Sequence, residues 1–225
     1  MFIRKDNTLK WNWIVVGALI TIVLVVIGVR FFDGPLFGLI NNPACNVDVP
    51  DTANPICLTA LIFGKIFSWQ IWLAVSVAAV LAFFAYKALT NEYDFRYAFV
   101  KIKNSYFFYV LLSLVFACGA AKFLKIIIGR ARPVFGDPML FNMFSNLHEF
   151  HSMPSGHTAV TFAGLVMLGM LFPRIKWATW TLAVLVGASR VYIGAHWVSD
   201  VILGAFVGML CADFAKAVLK KVNSK

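Results

Sequence analysis

Long uncharged blocks, separated by short polar segments, constrain this chain more than any other feature. Residues 11–29, 68–86 and 105–121 carry no Asp, Glu, Lys or Arg. Crossing the hydrocarbon of a bilayer takes roughly 20 residues of helix. Inside that hydrocarbon a segment must satisfy its own backbone N–H and C=O groups, so runs of this length and apolarity are read as helices. Six spans are predicted, at residues 13–32, 68–89, 105–128, 156–171, 177–193 and 197–219. The predicted fold class is all-α, a polytopic membrane bundle of six transmembrane helices, with residues 1–225 forming one integral-membrane domain. The last three spans reach membrane length only if charged residues such as Arg190 and Asp200 are counted in. Charge at membrane depth is costly, and its default reading is functional.

Composition argues against a soluble alternative. Hydrophobic residues make up 61% and charged residues 13%, against about 25% charged in soluble domains. A net charge of +10 would suggest nucleic-acid binding in a soluble protein. Here the basic residues sit mostly in short segments between apolar blocks, where they orient the chain, so no nucleic-acid partner is expected. The basic stretch 1–10 followed by an apolar run has the order of a signal peptide. The run is long for a cleaved one, and no small-x-small site follows Val29, so it is read as a retained first span.

Lys and Arg also set the orientation. Arg4, Lys5, Lys10, Arg96, Lys101, Lys103, Arg174, Lys176, Lys216, Lys220, Lys221 and Lys225 fall on one side. Lys65, Arg130 and Arg132 fall on the other. The positive-inside rule then puts both termini in the cytoplasm of a multi-pass protein of the cell (inner) membrane. Loops 33–67 and 129–155 face outward, which is the periplasm in a Gram-negative cell. Cys45 and Cys57 lie in the first outward loop; an oxidising compartment permits a disulfide there, although spacing alone does not fix its geometry. Cys118 and Cys211 lie inside spans and read as packing.

Three polar clusters fall on the outward side. In the first, Lys125, Arg130 and Arg132 precede Pro133 at the end of the third span. Such cations can snorkel at a membrane boundary. Their place against the positive-inside trend favours an anion that they hold, since Arg offers a planar donor fork and Lys a point charge to phosphate oxygens. In the second, Pro154-Ser155-Gly156-His157 opens the fourth span. Ser155 is a natural N-cap, the helix start offers free N–H groups, and Gly156 lets backbone approach an oxyanion. His157 there can exchange a proton near neutral pH; the plainer alternative is a capped helix with an interfacial His. In the third, Ser189-Arg190 is followed by His196 and Asp200. Four residues apart on a helix, His196 and Asp200 share a face, so the carboxylate can orient the ring and free its other nitrogen to attack. A structural ion pair would look the same.

Taken together, Lys125-x6-Arg132-Pro133, Pro154-Ser155-Gly156-His157 and Ser189-Arg190-x5-His196-x3-Asp200 resemble the three-part signature of the type 2 phosphatidic acid phosphatase superfamily. The resemblance implies a membrane lipid phosphatase that hydrolyses a phosphomonoester or pyrophosphate of a lipid. The candidate substrates are phosphatidylglycerophosphate, undecaprenyl pyrophosphate, phosphatidate and lipid A. It implies a phosphohistidine on His196, with Asp200 orienting the ring and His157 as acid and then base. Lys125, Arg132, Arg190, Ser155 and Gly156 would hold the phosphate. No metal and no cofactor are expected. Arg130 lies outside the signature and ranks lower.

The greasy stretch 139–150 is expected either to form an interfacial helix that guides lipid or to pack over the bundle. Within it, His148 and His151 lack a third metal ligand at clear spacing. Two rivals stand beside hydrolysis. A phosphotransferase would pass the phosphoryl group to a second lipid. A transporter would bind phosphate without chemistry, but would leave the His196–Asp200 pairing unexplained. The family also contains haloperoxidases, but those are soluble.

Overall fold

The computed structural model describes residue 2 and residues 8–45, 53–89 and 106–223. Arg4, Lys5, Arg96, Lys101, Lys103, Ser105 and Lys225, used above for topology and span limits, lie outside the described residues. Among the described residues the regular structure is helical, with an isolated bridge between Arg130 and Phe141.

Helix α1 (Trp11–Ile27) passes through a π-helical turn, Gly28–Phe32, directly into α2 (Asp33–Ile40). The expected break at residue 33 is absent. Pro35 falls in the first turn of α2, where its missing N–H costs little. The segment 33–67, expected to be an outward loop, is helical over much of its described residues. It contains α2 and α3 (Pro55–Ile66), and α3 is started by Asn54, whose side chain accepts from the N–H groups of Ile56 and Cys57. Pro55 at the first helical position completes this start signal. Helix α4 (Trp69–Leu89) follows, bent by 45° from α3.

The remaining helices are α5 (Tyr106–Ile128), α6 (Gly156–Leu171), α7 (Lys176–Tyr192) and α8 (Val198–Asn223). Helix α6 is the centre of the bundle, packed on α5, α7 and α8. Its Ala159, Ala163, Val166 and Met167 are fully buried. Helices α6 and α8 cross closely: a Cβ at Gly208 would stand 2.3 Å from the Ala159 carbonyl oxygen, and one at Gly204 would stand 2.7 Å from that of Ser155. Glycine here lets two backbones touch, a common device of membrane helices. It also brings the first turns of α6 and α8 side by side.

The helix that begins the chain is of another kind. Val15, Val16, Leu19, Ile20 and Val23 of α1 are exposed, while Ile14 and Thr21 are buried. A helix that is apolar all round and buries so little needs an apolar solvent. By length and composition, three stretches can cross a membrane: Trp11–Ile40, Tyr106–Ile128 and Val198–Leu219. Joining Pro55–Ile66 to Gln70–Tyr86 would make a fourth. Helix α6, with 16 residues, is a shorter apolar helix. A helix occupies each of the six stretches read as spans.

Candidate active site

The chain leaves α5 through three tight steps that aim its cations inward. Lys125, in the last turn of α5, donates to the carbonyl of His151 and, at 3.3 Å, to that of Ser152. Gly129 turns the backbone at φ +57°, and the N–H groups of Ala131 and Arg132 then pair with the carbonyls of Leu140 and Glu149. The returning strand of the loop is fixed at Ser152, whose N–H donates to the Arg130 carbonyl at 3.0 Å. The loop thus closes on itself before α6 begins.

Ser155 caps α6, its Oγ accepting from the Thr158 N–H. Its own N–H donates to the Asp200 carbonyl at 2.9 Å, tying the start of α6 to the start of α8. On the other side, the Arg190 carbonyl at the end of α7 accepts from the N–H groups of Ala195 and His196. This turn swings His196 back beside Arg190.

The nucleophile candidate has an orienting partner, and the partner is itself heavily held. His196 Nδ1 lies 3.5 Å from Asp200 Oδ2, long for a hydrogen bond, and this leaves Nε2 as the other ring nitrogen. Asp200 Oδ2 also accepts from the Trp197 N–H at 3.0 Å and the Ser152 hydroxyl at 2.5 Å. Asp200 Oδ1 accepts from Arg130 Nη1 at 2.7 Å. Arg130 in turn reaches Asp33 Oδ2 through Nη2, also at 2.7 Å, and Ser199 Oγ through Nη1. Asp33 accepts from both the N–H and the hydroxyl of Ser199. All of Arg130, Asp33, Asp200, Ser152 and Ser199 are buried. A buried carboxylate is tolerated only with such partners.

Lys125, Arg132, Gly156, His157, Arg190 and His196 line one cavity of about 570 Å³. Ser155 and Asp200 lie fully buried behind its wall. Among the described residues no carboxylate lines this cavity. A Cβ added at Gly156 would touch only the Lys125 side chain, at 3.5 Å. Protein packing therefore does not demand glycine there; a side chain would take up cavity space instead.

Burial lowers the His196 pKa to about 3, reinforced by Lys125 and Arg132 and opposed by Asp200. The ring is therefore neutral, as a nucleophile must be. In the loop between α5 and α6, the Arg132 charge is the main cause that lowers the His148 pKa. Arg132 Nη2 stands 3.3 Å from His148 Nε2, and His151 Nε2 faces the Ser145 carbonyl at 2.9 Å.

Helix α3 roofs the site, which the sequence did not suggest. Arg190 Nη2 donates to the Ala60 carbonyl at 2.5 Å, and a Cβ at Gly64 would stand 2.2 Å from Arg190 Nη1. His157 hydrogen-bonds the Gly64 backbone. Cys45 and Cys57 form a disulfide that packs with Ala60 and Ile193, fixing α3 to the end of α7.

Sequence reasoning ranked Arg130 low and missed Asp33, Ser152 and Ser199. A visible signal was an Asp closing the first apolar block and an Arg out of place on the outward side. Nothing in their spacing joins them, because they are 97 positions apart. The stretch 139–150 is not an interfacial helix. It is irregular apart from a 3-10 turn at His148–Phe150, and its Met139, Phe141, Met143, Phe144 and Leu147 are exposed.

A family profile described as "PAP2 superfamily" matches residues 105–224, more than half of the chain. The chain belongs to the PAP2 superfamily. The PAP2 match takes in every residue lining the cavity. Over 103 residues the chain is 41% identical to a lipid A 1-phosphatase of Rhizobium johnstonii, an alignment covering 44% of this chain and 42% of that one. Over 101 residues it is 34% identical to an undecaprenyl-diphosphatase of Sulfolobus acidocaldarius, covering 44% and 48%. The chain thus spans less than half the length of these curated relatives. A solved structure of a transmembrane PAP2 type phosphatidylglycerolphosphate phosphatase from Bacillus subtilis has the same fold. Its TM-score is 0.61 at 23% identity, over 93% of this chain and 96% of that one.

Proposed function

We propose that this PAP2 protein is a metal-independent phosphatase of a lipid phosphate ester or pyrophosphate, working through a phosphohistidine on His196. The observation that carries the reading is the cavity itself. Cations from α5, the outer loop and α7 face a neutral imidazole across a space without carboxylates. Phosphoryl transfer needs little beyond positioning and charge stabilisation, and this wall supplies both.

In the first step His196 Nε2 attacks phosphorus. The N–P bond forms, the P–O bond to the lipid breaks, and His157 gives its proton to the departing oxygen. Asp200, facing Nδ1, stabilises the positive charge that develops on the ring. Lys125, Arg132 and Arg190 hold the phosphoryl oxygens, with the α6 N-terminus at Gly156; Ser155, expected among the phosphate ligands, instead caps α6 and ties it to α8. In the second step His157 takes a proton from water, the water oxygen attacks phosphorus, and the N–P bond breaks to release inorganic phosphate. His196 ends neutral.

The matched relatives are named for lipid A 1-phosphate and undecaprenyl diphosphate, and both support a lipid phosphate as the substrate class. We further read the chain as a single six-span membrane domain. Both termini are cytoplasmic and the cavity opens on the outward face, where the lipid enters sideways from the bilayer. The deciding experiment is a hydrolysis panel on purified protein with phosphatidate, phosphatidylglycerophosphate, undecaprenyl pyrophosphate and lipid A. Wild type should release phosphate from at least one, and His196→Ala from none. Release by His196→Ala at more than a trace would rule out the covalent route. Adding an acceptor lipid separates hydrolysis from transfer.

A further inference from the structure

Lys122 is not part of the three-part signature, yet it lines the same cavity as Lys125, Arg132, Arg190 and His196. It lies within α5, a helix long and apolar enough to cross a membrane. Six residues before the helix end, it sits ~9 Å deeper than Ile128 at 1.5 Å per residue. Lysine at such depth is expensive unless it snorkels or serves an anion.

Three observations favour the anion. Lys122 and Lys125 are three apart and share a helix face, where like charges repel. Lys122 makes no hydrogen bond or ion pair among the described residues. The cavity runs on past it along α5 to Gly119 and Cys118, the direction in which a lipid tail must lie if the reacting phosphorus sits at His196. The wall therefore carries one more cation than the three assigned to the reacting phosphoryl group, and that cation lies on the tail side.

We propose that Lys122 forms a second anion subsite, which selects lipids carrying a second phosphate between the reacting one and the tail. The inference rests on the phosphatase reading above. His196 would attack the terminal phosphorus and break its bond to the bridging oxygen. The electron pair would stay on that oxygen, so the leaving group is a lipid monophosphate. Lys122 would balance the charge of that phosphate as it departs.

The test compares farnesyl diphosphate with farnesyl monophosphate, which share one tail, with phosphatidate as a further monophosphate. Wild type should have the higher kcat/KM for the diphosphate. Lys122→Met should lower that value about ten-fold, the scale of one lost charge-assisted contact, and leave both monophosphates within about two-fold. Lys122→Arg should restore the preference. Retained monophosphate turnover shows that the variant is folded. If Lys122→Met loses all turnover, Lys122→Gln is read the same way. Equal loss on both classes, no loss on either, or a wild type that turns over only monophosphates would overturn the subsite while leaving the phosphatase reading intact. A wild type that releases phosphate from none of the three would count against the phosphatase reading itself.

Discussion

Arg130 Nη1 lies 2.7 Å from Asp200 Oδ1 while Nη2 of the same guanidinium lies 2.7 Å from Asp33 Oδ2, with all three side chains fully out of solvent. One cation therefore serves two carboxylates, one from the first helical stretch and one that faces the His196 ring. Removing it would leave two buried carboxylates without a counter-charge, held only by neutral donors. Breaking a buried pair in this way costs about 3–5 kcal/mol. Arg130→Ala is expected to unfold at markedly lower temperature in detergent and to lose nearly all turnover. Asp33→Asn keeps a hydrogen-bonding group and should lose less of both. Thermal unfolding measured beside turnover checks this, and a fully active Arg130→Ala would rule out the assigned role.

Gly156 offers a cleaner separation of packing from chemistry. A methyl group there meets only Lys125, at an ordinary contact distance, and alanine is a better helix former than glycine. Gly156→Ala should therefore fold as well as wild type. It should lose at least ~10-fold in kcat/KM, because the methyl group stands where the phosphoryl oxygens approach the helix N-terminus. Unchanged kinetics would place the phosphate elsewhere in the cavity.

The pH dependence follows from the depressed His196 pKa. Burial is the main cause, and it holds the ring neutral at every pH above about 3. A free histidine would protonate near 6.5 and stop attacking below that. Single-turnover rates, corrected for ionisation of the substrate, should therefore show no loss assignable to His196 between about pH 7 and about pH 5. An acid limb near 6.5 that persists after this correction would mean that the imidazole is more accessible to water than its 3% exposure indicates.

Under the proposed mechanism chelators should leave activity intact, since Lys125, Arg132 and Arg190 line the cavity and would supply the positive charge around the phosphate. Orthovanadate should inhibit, as a five-coordinate vanadate on His196 imitates the transferring phosphoryl group. Activity lost in EDTA and regained with a divalent cation would replace this assignment with a metal-assisted one.

Orientation can be read by thiol labelling in a variant whose native cysteines are removed. Gly136 is a poor position for the probe, because its φ of +73° strains any side chain. Val134 is 75% exposed in the same loop. Val134→Cys should react with an impermeant reagent in intact spheroplasts, and Arg174→Cys only after permeabilisation. The reverse pattern would turn the protein over without altering the cavity.

Apolar run length was enough to find the longer helices but not α2 or α3. The first three of the six stretches needed only composition, because an uncharged run of that length is read as a helix; the last three had to be extended over charged residues. Part of the cavity lining was singled out in the sequence: Lys125, Arg132, Gly156, His157, Arg190 and His196, at or near helix ends with recognisable start and stop chemistry; Lys122, within α5, was not. Neither were Asp33, Ser152 and Ser199. They act through contacts between distant segments, and a lone Asp after an apolar run reads as the beginning of a loop. Helix α3 was missed for a related reason. Its twelve residues are too few for a span, and its contacts with the site are made by backbone, whose one mark on residue identity is the glycine at position 64.

The segment recognised by homology and the segment that works as a machine have different limits. The family match begins at residue 105, yet Asp33 and the Ala60 and Gly64 backbone lie well before it and touch Arg130, Arg190 and His157. A fragment cut at the homology boundary would keep every reacting group and lose part of what aims them. Grafting residues 105–224 of this chain onto the front half of a relative would therefore test compatibility across a seam that runs through the middle of the site.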